Sequence, residues 1–293
     1  MSQSGAAPAI MVVGSINVDL VFSTSRLPSG GETLTGASLA ELPGGKGANQ
    51  ALAARLLGAE VSLVARVGDD ERGLTATANL RHAGVNLDSL VVDATALTGV
   101  AAVTVAESGE NHIVVSPGAN ARLGFADVER AAATASGQLD AVLCQLEVPD
   151  EALIAAATIR PSLFCINAAP ARTLPPAIWA RADLVVVNEV ERAQLAAALD
   201  AFSGLIATTL GAEGAVLTQA GQQLASARPP TVTVVDTTGA GDAFCASLLV
   251  ALIEGRTHEN ALLRASAAGA LATTQQGAQA SLPLARDLDT LSL

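Results

Sequence analysis

The sequence predicts an α/β fold with a mostly parallel central sheet. From Leu139 onward, short apolar or β-branched runs alternate with helical patterns, as in a sheet built from β-α-β units. A β-branched run at 231–235 predicts a strand, and it precedes a glycine-rich turn and then an apolar segment too long for a strand. Polar residues follow several predicted strands directly, and the carboxyl ends of parallel strands are where such sheets bind ligands.

Composition limits the classes of partner. The chain has 293 residues, half of them hydrophobic, which is enough for one large α/β domain or two small ones. We expect a single domain over 1–293. The formal net charge of −12 argues against nucleic acid or an anionic membrane surface as a partner. No apolar run reaches about 18 residues without a charge or a break, so no membrane-spanning segment is expected.

The cysteines and the N-terminal segment both indicate a cytoplasmic protein. Cys144, Cys165 and Cys245 lie far apart in apolar runs without metal-ligand spacing. We expect them to be small core residues in a reducing compartment. Residues 1–8 are small and polar, with neither the basic nor the apolar region of a secretory signal.

The first 120 residues contain a pair of polar side chains that suits a ligand site. Asn17 and Asp19 are two residues apart on a predicted strand, so both point to one face. Such a pair could bind a polyol, but a solvent-facing edge explains it equally well. Asp69 and Asp70 precede a helix, and we interpret them as caps rather than metal ligands. The expected elements are strands at 10–13, 16–22 and 33–39, a helix at 48–57, a strand at 61–67, a helix from 71 to its stop at Gly84, and a hairpin at 99–106 and 112–116.

The second half of the chain places three polar residues at the expected ligand crevice. Glu147 and Asn188 directly follow predicted strands, and Asp242 begins a helix after the glycine-rich turn. The expected elements are strands at 142–146, 163–167, 184–187 and 205–209, a hairpin at 216–218 and 222–224, helices at 243–254 and 259–273, and a polar loop at 275–281.

The glycine-rich turn is the strongest candidate site. Gly239 and Gly241 let the backbone approach a ligand, and the first turn of the following helix offers unpaired N–H groups to an anion. A carboxylate at Asp242 would repel an anion that was merely bound. In phosphoryl transfer, however, it could accept the proton of the attacking hydroxyl. The alternative is an ordinary capped turn, because Asp is common in the first turn of a helix.

Other nucleotide-binding patterns are missing from the sequence. There is no G-x-x-x-x-G-K-[ST] of a P-loop enzyme, and no G-x-G-x-x-G follows a predicted strand. The protein-kinase signatures are also missing. Their absence from the sequence argues against both a P-loop enzyme and a dinucleotide dehydrogenase.

Four motifs together resemble the ribokinase family of sugar kinases, the PfkB type. They occur in the family's order and span nearly the whole chain: GSINVD at 14–19, GGKGAN at 44–49, NEVE at 188–191 and DTTGAGD at 236–242. The extended motif GGKGANQ at 44–50 and the triplet QLE at 145–147 look more like the ribokinase members than like their relatives.

The resemblance implies both a fold and an activity. The fold would be a ribokinase-like three-layer α/β/α sandwich, covered by a small β-sheet lid from about 16–42 and 98–118. This lid often packs against a second subunit, so we expect a homodimer. The activity would be ATP-dependent phosphorylation of the 5-hydroxyl of D-ribose. The alternatives are another kinase of the family, acting on deoxyribose, a nucleoside or a different sugar, or a catalytically silent sugar- or nucleotide-binding regulator.

The resemblance also implies roles for individual residues. Asp242 would be the catalytic base, and the N–H groups of Gly239, Ala240 and Gly241 would form the anion hole. The sugar would be held by Asn17, Asp19, Gly45, Lys46, Gly47, Asn49, Glu147 and Asp242. ATP would be held by Asn188, Thr209, Gly211, Glu213, Gly214, Gly241 and Ser266. Mg²⁺ would be organised through water by Glu191, and an activating K⁺ would lie on Asp236, Thr238, Ala272, Gln275, Gly277 and Ser281.

Two departures from the family's pattern concern the nucleotide side. The stretch between Asn188 and Thr209 is short, where the family usually has another helix. Ser266 stands where many relatives have a larger His or Asn beside adenine. Both departures leave the choice of nucleotide base open.

Overall fold

The computed structural model describes residues 6–135 and 137–291. The expected single domain over 1–293 and the polar N-terminal segment at 1–8 both extend beyond this part of the chain. In chain order the strands are β1 (Ala9–Val13), β2 (Asn17–Thr24), β3 (Ser38–Gly44), β4 (Glu60–Gly68), β5 (Leu90–Asp93), β6 (Gly99–Ala106), β7 (Asn111–Ser116), β8 (Ala141–Gln145), β9 (Leu163–Asn167), β10 (Leu184–Asn188), β11 (Leu205–Thr209), β12 (Ala215–Gln219) and β13 (Gln222–Ala227). The helices are α1 (Lys46–Leu56), α2 (Glu71–Ala83), α3 (Phe125–Thr134), α4 (Asp150–Thr158), α5 (Pro176–Arg181), α6 (Glu189–Gln194), α7 (Ala196–Asp200), α8 (Ala240–Ile253), α9 (His258–Leu271) and α10 (Ala285–Asp289).

The large sheet confirms the predicted mostly parallel α/β architecture. Its strand order among the described residues is β13-β12-β11-β10-β9-β8-β1-β4-β5, and the strands from β11 to β5 pair in parallel. Along β1, Ile10 and Val12 join a core with α1, α8 and α9, whereas Met11 and Val13 join a second core with α3 and α4. Helices therefore cover both faces, as a parallel sheet of continuous apolar strands requires, and the result is a three-layer sandwich.

The second sheet is the predicted lid. Its order is β3-β2-β6-β7, so it is built from residues 17–44 and 99–116. Along β2, Asn17, Asp19, Val21 and Ser23 all face one cleft, because alternate residues of a strand share a face. Asn17 and Asp19 therefore point into a cavity, which decides against a solvent-facing edge.

Several local sequence patterns predicted structures that the chain forms. Asp70 is the N-cap of α2 and accepts a hydrogen bond from the Gly73 N–H at 2.8 Å. Gly84 ends that helix in the left-handed conformation, with φ of 76°. The three cysteines are buried and free, and burial raises the pKa of the Cys144 thiol far above its usual range.

The strand expected at 33–39 was wrong in its position. The chain is irregular at 33–37, and β3 runs from Ser38 to Gly44. Its register is set by pairing with β2, in which Asn17 lies opposite Gly44. Pairing with the preceding strand therefore decided where β3 lies, and the pattern within the segment itself could not supply that information.

The strand expected at 231–235 was wrong as well. This segment is unpaired in either sheet, and the N–H groups of Val235 and Asp236 instead donate to the Thr273 carbonyl at 2.8 and 3.1 Å. It follows Pro229 and Pro230, which carry no N–H to donate to a neighbouring strand. The segment crosses from the sheet edge at β13 to the start of α8. Its β-branched side chains line the cleft at Val234 and Val235.

The short edge strand β5 was not predicted. It pairs in parallel with β4 at the end of the large sheet, and Val92 on it is exposed. Across the described residues, no helix is both long enough and apolar enough to cross a membrane.

Candidate active site

One cleft of about 710 Å³ lies between the lid and the carboxyl ends of the central strands. Strand ends contribute Asn167, Asn188 and Thr209, and the glycine-rich turn contributes residues up to Asp242. Of the predicted site residues, the cleft is lined by Asn17, Asp19, Gly45, Lys46, Asn49, Glu147, Asn188, Glu191, Thr209, Asp236, Thr238, Gly239, Gly241, Asp242 and Gly277. Residues far apart in sequence thus meet at the edge where parallel sheets bind ligands.

Asp242 lies in the first turn of α8 with 6% of its surface exposed. Its Oδ2 accepts a hydrogen bond from Asn49 Nδ2 at 2.9 Å, and its Oδ1 accepts one from Gln50 Nε2 at 2.8 Å. Burial raises the pKa of the carboxyl, whereas Lys46 and the two amide donors oppose the rise. A carboxyl with a raised pKa is a stronger proton acceptor than an ordinary aspartate.

Asn17 is oriented by a second buried amide, Asn120. Asn120 bonds both backbone groups of Ile16, accepting from its N–H at 2.9 Å and donating to its carbonyl at 3.0 Å. Asn120 Nδ2 also donates to Asn17 Oδ1 at 2.8 Å. Since the oxygen of Asn17 is engaged there, its NH₂ group is the part left to donate to a ligand in the cleft.

The cleft is acidic around one lysine. Burial, together with the charges of Glu147 and Asp242, raises the pKa of Asp19 to about 7, while Lys46 opposes that rise. Burial lowers the pKa of Lys46, but the carboxylates of Asp242, Glu147, Glu191 and Asp19 outweigh it and the net change is upward. Lys46 therefore stays charged and is placed to neutralise an anionic ligand.

Glu147 is held at the start of α1. Its Oε2 accepts from the Ser15 hydroxyl and from the Lys46 N–H, the latter at 3.1 Å. A carboxylate at this end of a helix is stabilised by the unpaired N–H groups and the helix dipole. One oxygen is thereby anchored, which fixes the direction in which the carboxylate faces the cleft.

The glycine-rich turn presents unpaired N–H groups. Gly239 is the N-cap of α8 with φ of 81°, and a Cβ there would lie 2.5 Å from the Ala278 carbonyl oxygen. The Ala240 N–H donates to the Thr237 carbonyl at 3.3 Å, but those of Gly239 and Gly241 bond to no described residue. A Cβ at Gly241 would meet no atom within 4 Å, so this glycine faces open cleft. An anion could therefore approach both free N–H groups.

The turn is tied to the predicted cation loop. Asp236 Oδ1 accepts from the Thr238 N–H and hydroxyl at 2.9 and 2.7 Å, and Oδ2 accepts from the Gly277 N–H at 2.8 Å. Although burial opposes the shift, the bonds from Gly277 and Thr238 hold the pKa of Asp236 below its ordinary value. The Ser281 hydroxyl donates to the Ala272 carbonyl.

Comparison with known proteins decides what kind of chain this is. Residues 7–285 match the model of the pfkB family carbohydrate kinases. The chain is 36% identical to the ribokinase of Bacillus subtilis, over 96% of this chain and 98% of that one. It is 33% identical to the ribokinase of Mus musculus, over 98% and 95%. The chain belongs to the pfkB family of carbohydrate kinases.

Solved structures agree with that membership. The ribokinase of Arabidopsis thaliana, complexed with ribose and ATP, superimposes with a TM-score of 0.83 at 30% sequence identity, covering 96% of this chain and 97% of the other. A carbohydrate kinase transfers a phosphoryl group to a sugar hydroxyl. The cleft of this pfkB protein contains a buried carboxyl at Asp242, backbone N–H groups at Gly239 and Gly241, and the Lys46 side chain.

Asn188 and Glu191, predicted to serve ATP and Mg²⁺ respectively, form a reciprocal cap at the start of α6 in this carbohydrate kinase. Asn188 Oδ1 accepts from the Glu191 N–H, and Glu191 Oε2 accepts from the Asn188 N–H, both at 2.8 Å. The short stretch before Thr209 contains two brief helices, α6 and α7. Among the described residues, no group of three or more His, Cys, Asp or Glu side chains is arranged to hold a metal ion.

Nine predicted site residues lie outside the cleft lining. Ser266 is 5% exposed within α9, and its hydroxyl has no partner in the described part of the chain. A Cβ at Gly214 would lie 1.9 Å from the Ala227 carbonyl oxygen, so close packing on β13 explains this glycine. Gln275 is exposed, and the neighbouring Gln276 lines the cleft instead. The nine are Gly47, Gly211, Glu213, Gly214, Ala240, Ser266, Ala272, Gln275 and Ser281.

Sequence patterns missed the buried amides that hold the site. Gln50, Asn120, Gln145 and Gln279 are each at most 7% exposed and were assigned no role. Gln50 directly follows the double-glycine motif, and Gln145 lies two residues before Glu147. A polar residue inside an apolar element next to a motif was the only available signal, and it does not identify a partner.

Proposed function

We propose that this chain phosphorylates the 5-hydroxyl of D-ribose with ATP. One observation carries the proposal: Asp242 and the free N–H groups of Gly239 and Gly241 begin the same helix, in a cleft that is also lined by polar side chains able to bond the hydroxyls of a sugar. These side chains are Asn17, Asp19, Lys46, Asn49 and Glu147. The ribokinases among the relatives, including one complexed with ribose and ATP, support the choice of sugar and nucleotide.

The chemistry is an in-line transfer. The 5-hydroxyl oxygen forms a bond to the γ-phosphorus as the bond from that phosphorus to its β–γ bridging oxygen breaks, and ADP leaves. Asp242 takes the hydroxyl proton. The N–H groups of Gly239 and Gly241 stabilise the charge on the phosphoryl oxygens, and Lys46 neutralises charge nearby. Asn17, Asp19 and Glu147 hold the sugar so that the 5-hydroxyl reaches Asp242.

Ribose is expected to exceed 2-deoxyribose in kcat/KM. Asp19 and Glu147 can each accept hydrogen bonds from sugar hydroxyls, and a site built to bond a hydroxyl is left with unpaired buried groups when the hydroxyl is missing. ADP release measured across a panel of ribose, 2-deoxyribose, hexoses and nucleosides checks this. A higher value for 2-deoxyribose or a nucleoside would assign the chain to another kinase of the family. No ADP release with any acceptor would favour the silent regulator.

Sugar binding is expected to weaken as the pH falls below about 7. The pKa of Asp19 is raised to about 7, so acid converts this residue to a neutral carboxyl, which accepts hydrogen bonds from two hydroxyls less well. The dissociation constant for ribose should rise by up to about tenfold per pH unit below that pKa, and binding at pH 7 should release protons. Calorimetry in buffers of different ionisation enthalpy measures both effects. A pH-independent constant without proton release would contradict the role given to Asp19.

Mg²⁺ and K⁺ are proposed as cofactors on the donor sets present. Glu191 faces the cleft with a carboxylate, and Mg²⁺ prefers carboxylate oxygens as ligands. Glu191 would hold a Mg²⁺ ion through water, while the ion also binds the ATP phosphates. Mg²⁺ would neutralise charge on the phosphates.

K⁺ would lie where the Asp236 carboxylate meets the loop at 272–281, a region of hard oxygen donors. The proposed K⁺ ligands are Asp236, Thr238, Ala272, Gln275, Gly277 and Ser281.

K⁺ is expected to raise turnover although it contacts no substrate. Asp236 joins the glycine-rich turn to Gly277, and Gly239 packs on the Ala278 carbonyl, so ordering this loop also orders the N–H groups of the turn. Ribose phosphorylation is measured in a buffer of large organic cations, titrated with KCl or with NaCl at matched ionic strength. Equal activity in all three conditions would contradict the proposed K⁺ site.

We also propose a cytoplasmic homodimer that pairs through the lid. The edge strand β7 is exposed along its length, and its apolar residues Ile113, Val114 and Val115 are 57%, 72% and 48% exposed. Buried reduced thiols and a need for ATP suit the cytoplasm. Sedimentation velocity tests the dimer, and a monomer at assay concentrations would contradict it.

A further inference from the structure

Gln50 lies directly behind the catalytic carboxyl. It is in the first half of α1 and is fully buried. Its Nε2 donates two hydrogen bonds, one to Asp242 Oδ1 at 2.8 Å and one to Asn167 Oδ1 at 2.9 Å. A buried neutral amide that contacts the base, but does not line the cleft, is placed to act on the base rather than on a substrate.

The orientation of this amide is determined by the backbone. Asn167 Nδ2 donates to the Val186 carbonyl at 3.2 Å, and a carbonyl can only accept. The oxygen of Asn167 therefore faces Gln50, which must present its NH₂ group there. The Gln50 oxygen is then directed to Gln145, whose Nε2 donates to it at 2.7 Å. The row of amides has a single polarity, and it ends as a donor on Asp242.

The far end of the row is closely packed. Gln145 is fully buried on β8, and its Oε1 has no hydrogen-bond partner among the described residues. A Cβ on Gly14 would lie 2.0 Å from that oxygen and 2.7 Å from the Gly47 Cα. Gly14 thus leaves space for the Gln145 amide, and Gly47 packs directly against Gly14. The polarity of the row is set at Asn167, whose NH₂ group donates to the Val186 carbonyl.

The other carboxylate oxygen receives a second row. Asn49 Nδ2 donates to Asp242 Oδ2 at 2.9 Å, Gln279 Nε2 donates to Asn49 Oδ1 at 3.0 Å, and Asn79 Nδ2 donates to Gln279 Oε1 at 2.9 Å. Asn79 is exposed, so water can satisfy this row in either orientation. Only the row through Gln50 is locked by a backbone carbonyl.

We propose that Gln50 is a positioning residue for Asp242, supplying a fixed N–H donor that keeps the base ionised and holds its carboxylate in one orientation. The inference rests on the proposed function. The charged groups that face Asp242 are Lys46 from α1, which favours the ionised form, and Glu147 two residues after β8, which opposes it. Asp19 on β2 also faces this group of charges. The two amides add stabilisation of the ionised form without adding charge.

The test compares two substitutions at this position. Gln50→Met keeps the length of the side chain but removes the donor, and Gln50→Glu places a second acid against the base. In both variants, the acidic limb of the kcat profile should move to higher pH by about one to two pH units, because a hydrogen bond to a charged group is lost or a like charge is added. kcat at neutral pH should fall at least about tenfold, with a smaller change in the dissociation constant for the sugar.

Gln279→Met is the matched control. Gln279 is equally an interior amide, at 7% exposed, but it contacts Asn49 rather than the base. Its replacement should raise KM for the sugar and leave the acidic limb in place. Gln50→Glu retains a polar group of the same shape. If Gln50→Met does not fold, Gln50→Glu therefore still shows whether the acidic limb of the kcat profile moves.

The profile is measured with whichever sugar the unaltered enzyme phosphorylates, so a wrong choice of ribose does not affect it. An acidic limb at the unaltered pH in a folded Gln50 variant, with kcat within about twofold, would overturn the proposal and leave Gln50 as a core amide.

Discussion

Asp242→Asn is expected to lower kcat by at least about 10²-fold while sugar and ATP still bind. The variant keeps the shape of the side chain but cannot accept the hydroxyl proton. Both oxygens of Asp242 accept from amide NH₂ groups, so the new NH₂ must face a donor on one side. The row through Asn49 ends at the exposed Asn79 and can reverse, whereas the row through Gln50 cannot. We therefore expect the new NH₂ to face Asn49.

Steady-state kinetics and calorimetry with ribose and with ATP measure the two effects separately. Because the row through Asn49 can adjust, the loss in thermal stability should be small. Turnover equal to that of the unaltered enzyme would remove Asp242 as the base. Loss of ribose binding together with turnover would instead assign Asp242 mainly to holding the sugar.

Gly239→Ala is expected to lower kcat by about 10²- to 10³-fold, the effect of losing a donor to a developing negative charge. A methyl group there would lie 2.5 Å from the Ala278 carbonyl oxygen, and Ala in the left-handed region costs about 1–2 kcal/mol. The turn must shift to relieve the contact, and its N–H groups then point away from the phosphoryl group.

Gly255→Ala is the matched control for this change. Gly255 also has a left-handed φ, 73°, but a Cβ there would meet no atom within 4 Å. It should show the cost of the backbone conformation alone, as a small fall in melting temperature with kcat unchanged. A Gly239→Ala enzyme with the same kcat as Gly255→Ala would show that the geometry of the turn does not limit catalysis.

Tertiary pairing decided what local propensity could not. The segment at 231–235 has a strong β-branched pattern, yet it pairs in neither sheet, and its Val235 N–H donates to the Thr273 carbonyl. The segment at 33–39 is equally plausible as a strand by itself, but β3 starts at Ser38 because β2 selects its register. Strand propensity describes one strand of a pair and does not specify the partner or the register.

The architecture and the polar groups that line the cleft could be predicted from sequence patterns. Apolar runs alternating with helical patterns require a parallel sheet covered on both faces, and polar residues at strand ends then meet at one edge. The hydrogen bonds that hold those groups depend on packing between distant segments. Gln50, Asn167 and Gln145 lie on a helix and two strands far apart in the chain, and a hydrogen bond depends on distance and direction that no spacing along one element encodes. The donor that faces Asp242 is thus a property of packing, because a backbone carbonyl at Val186 orients the row that ends there.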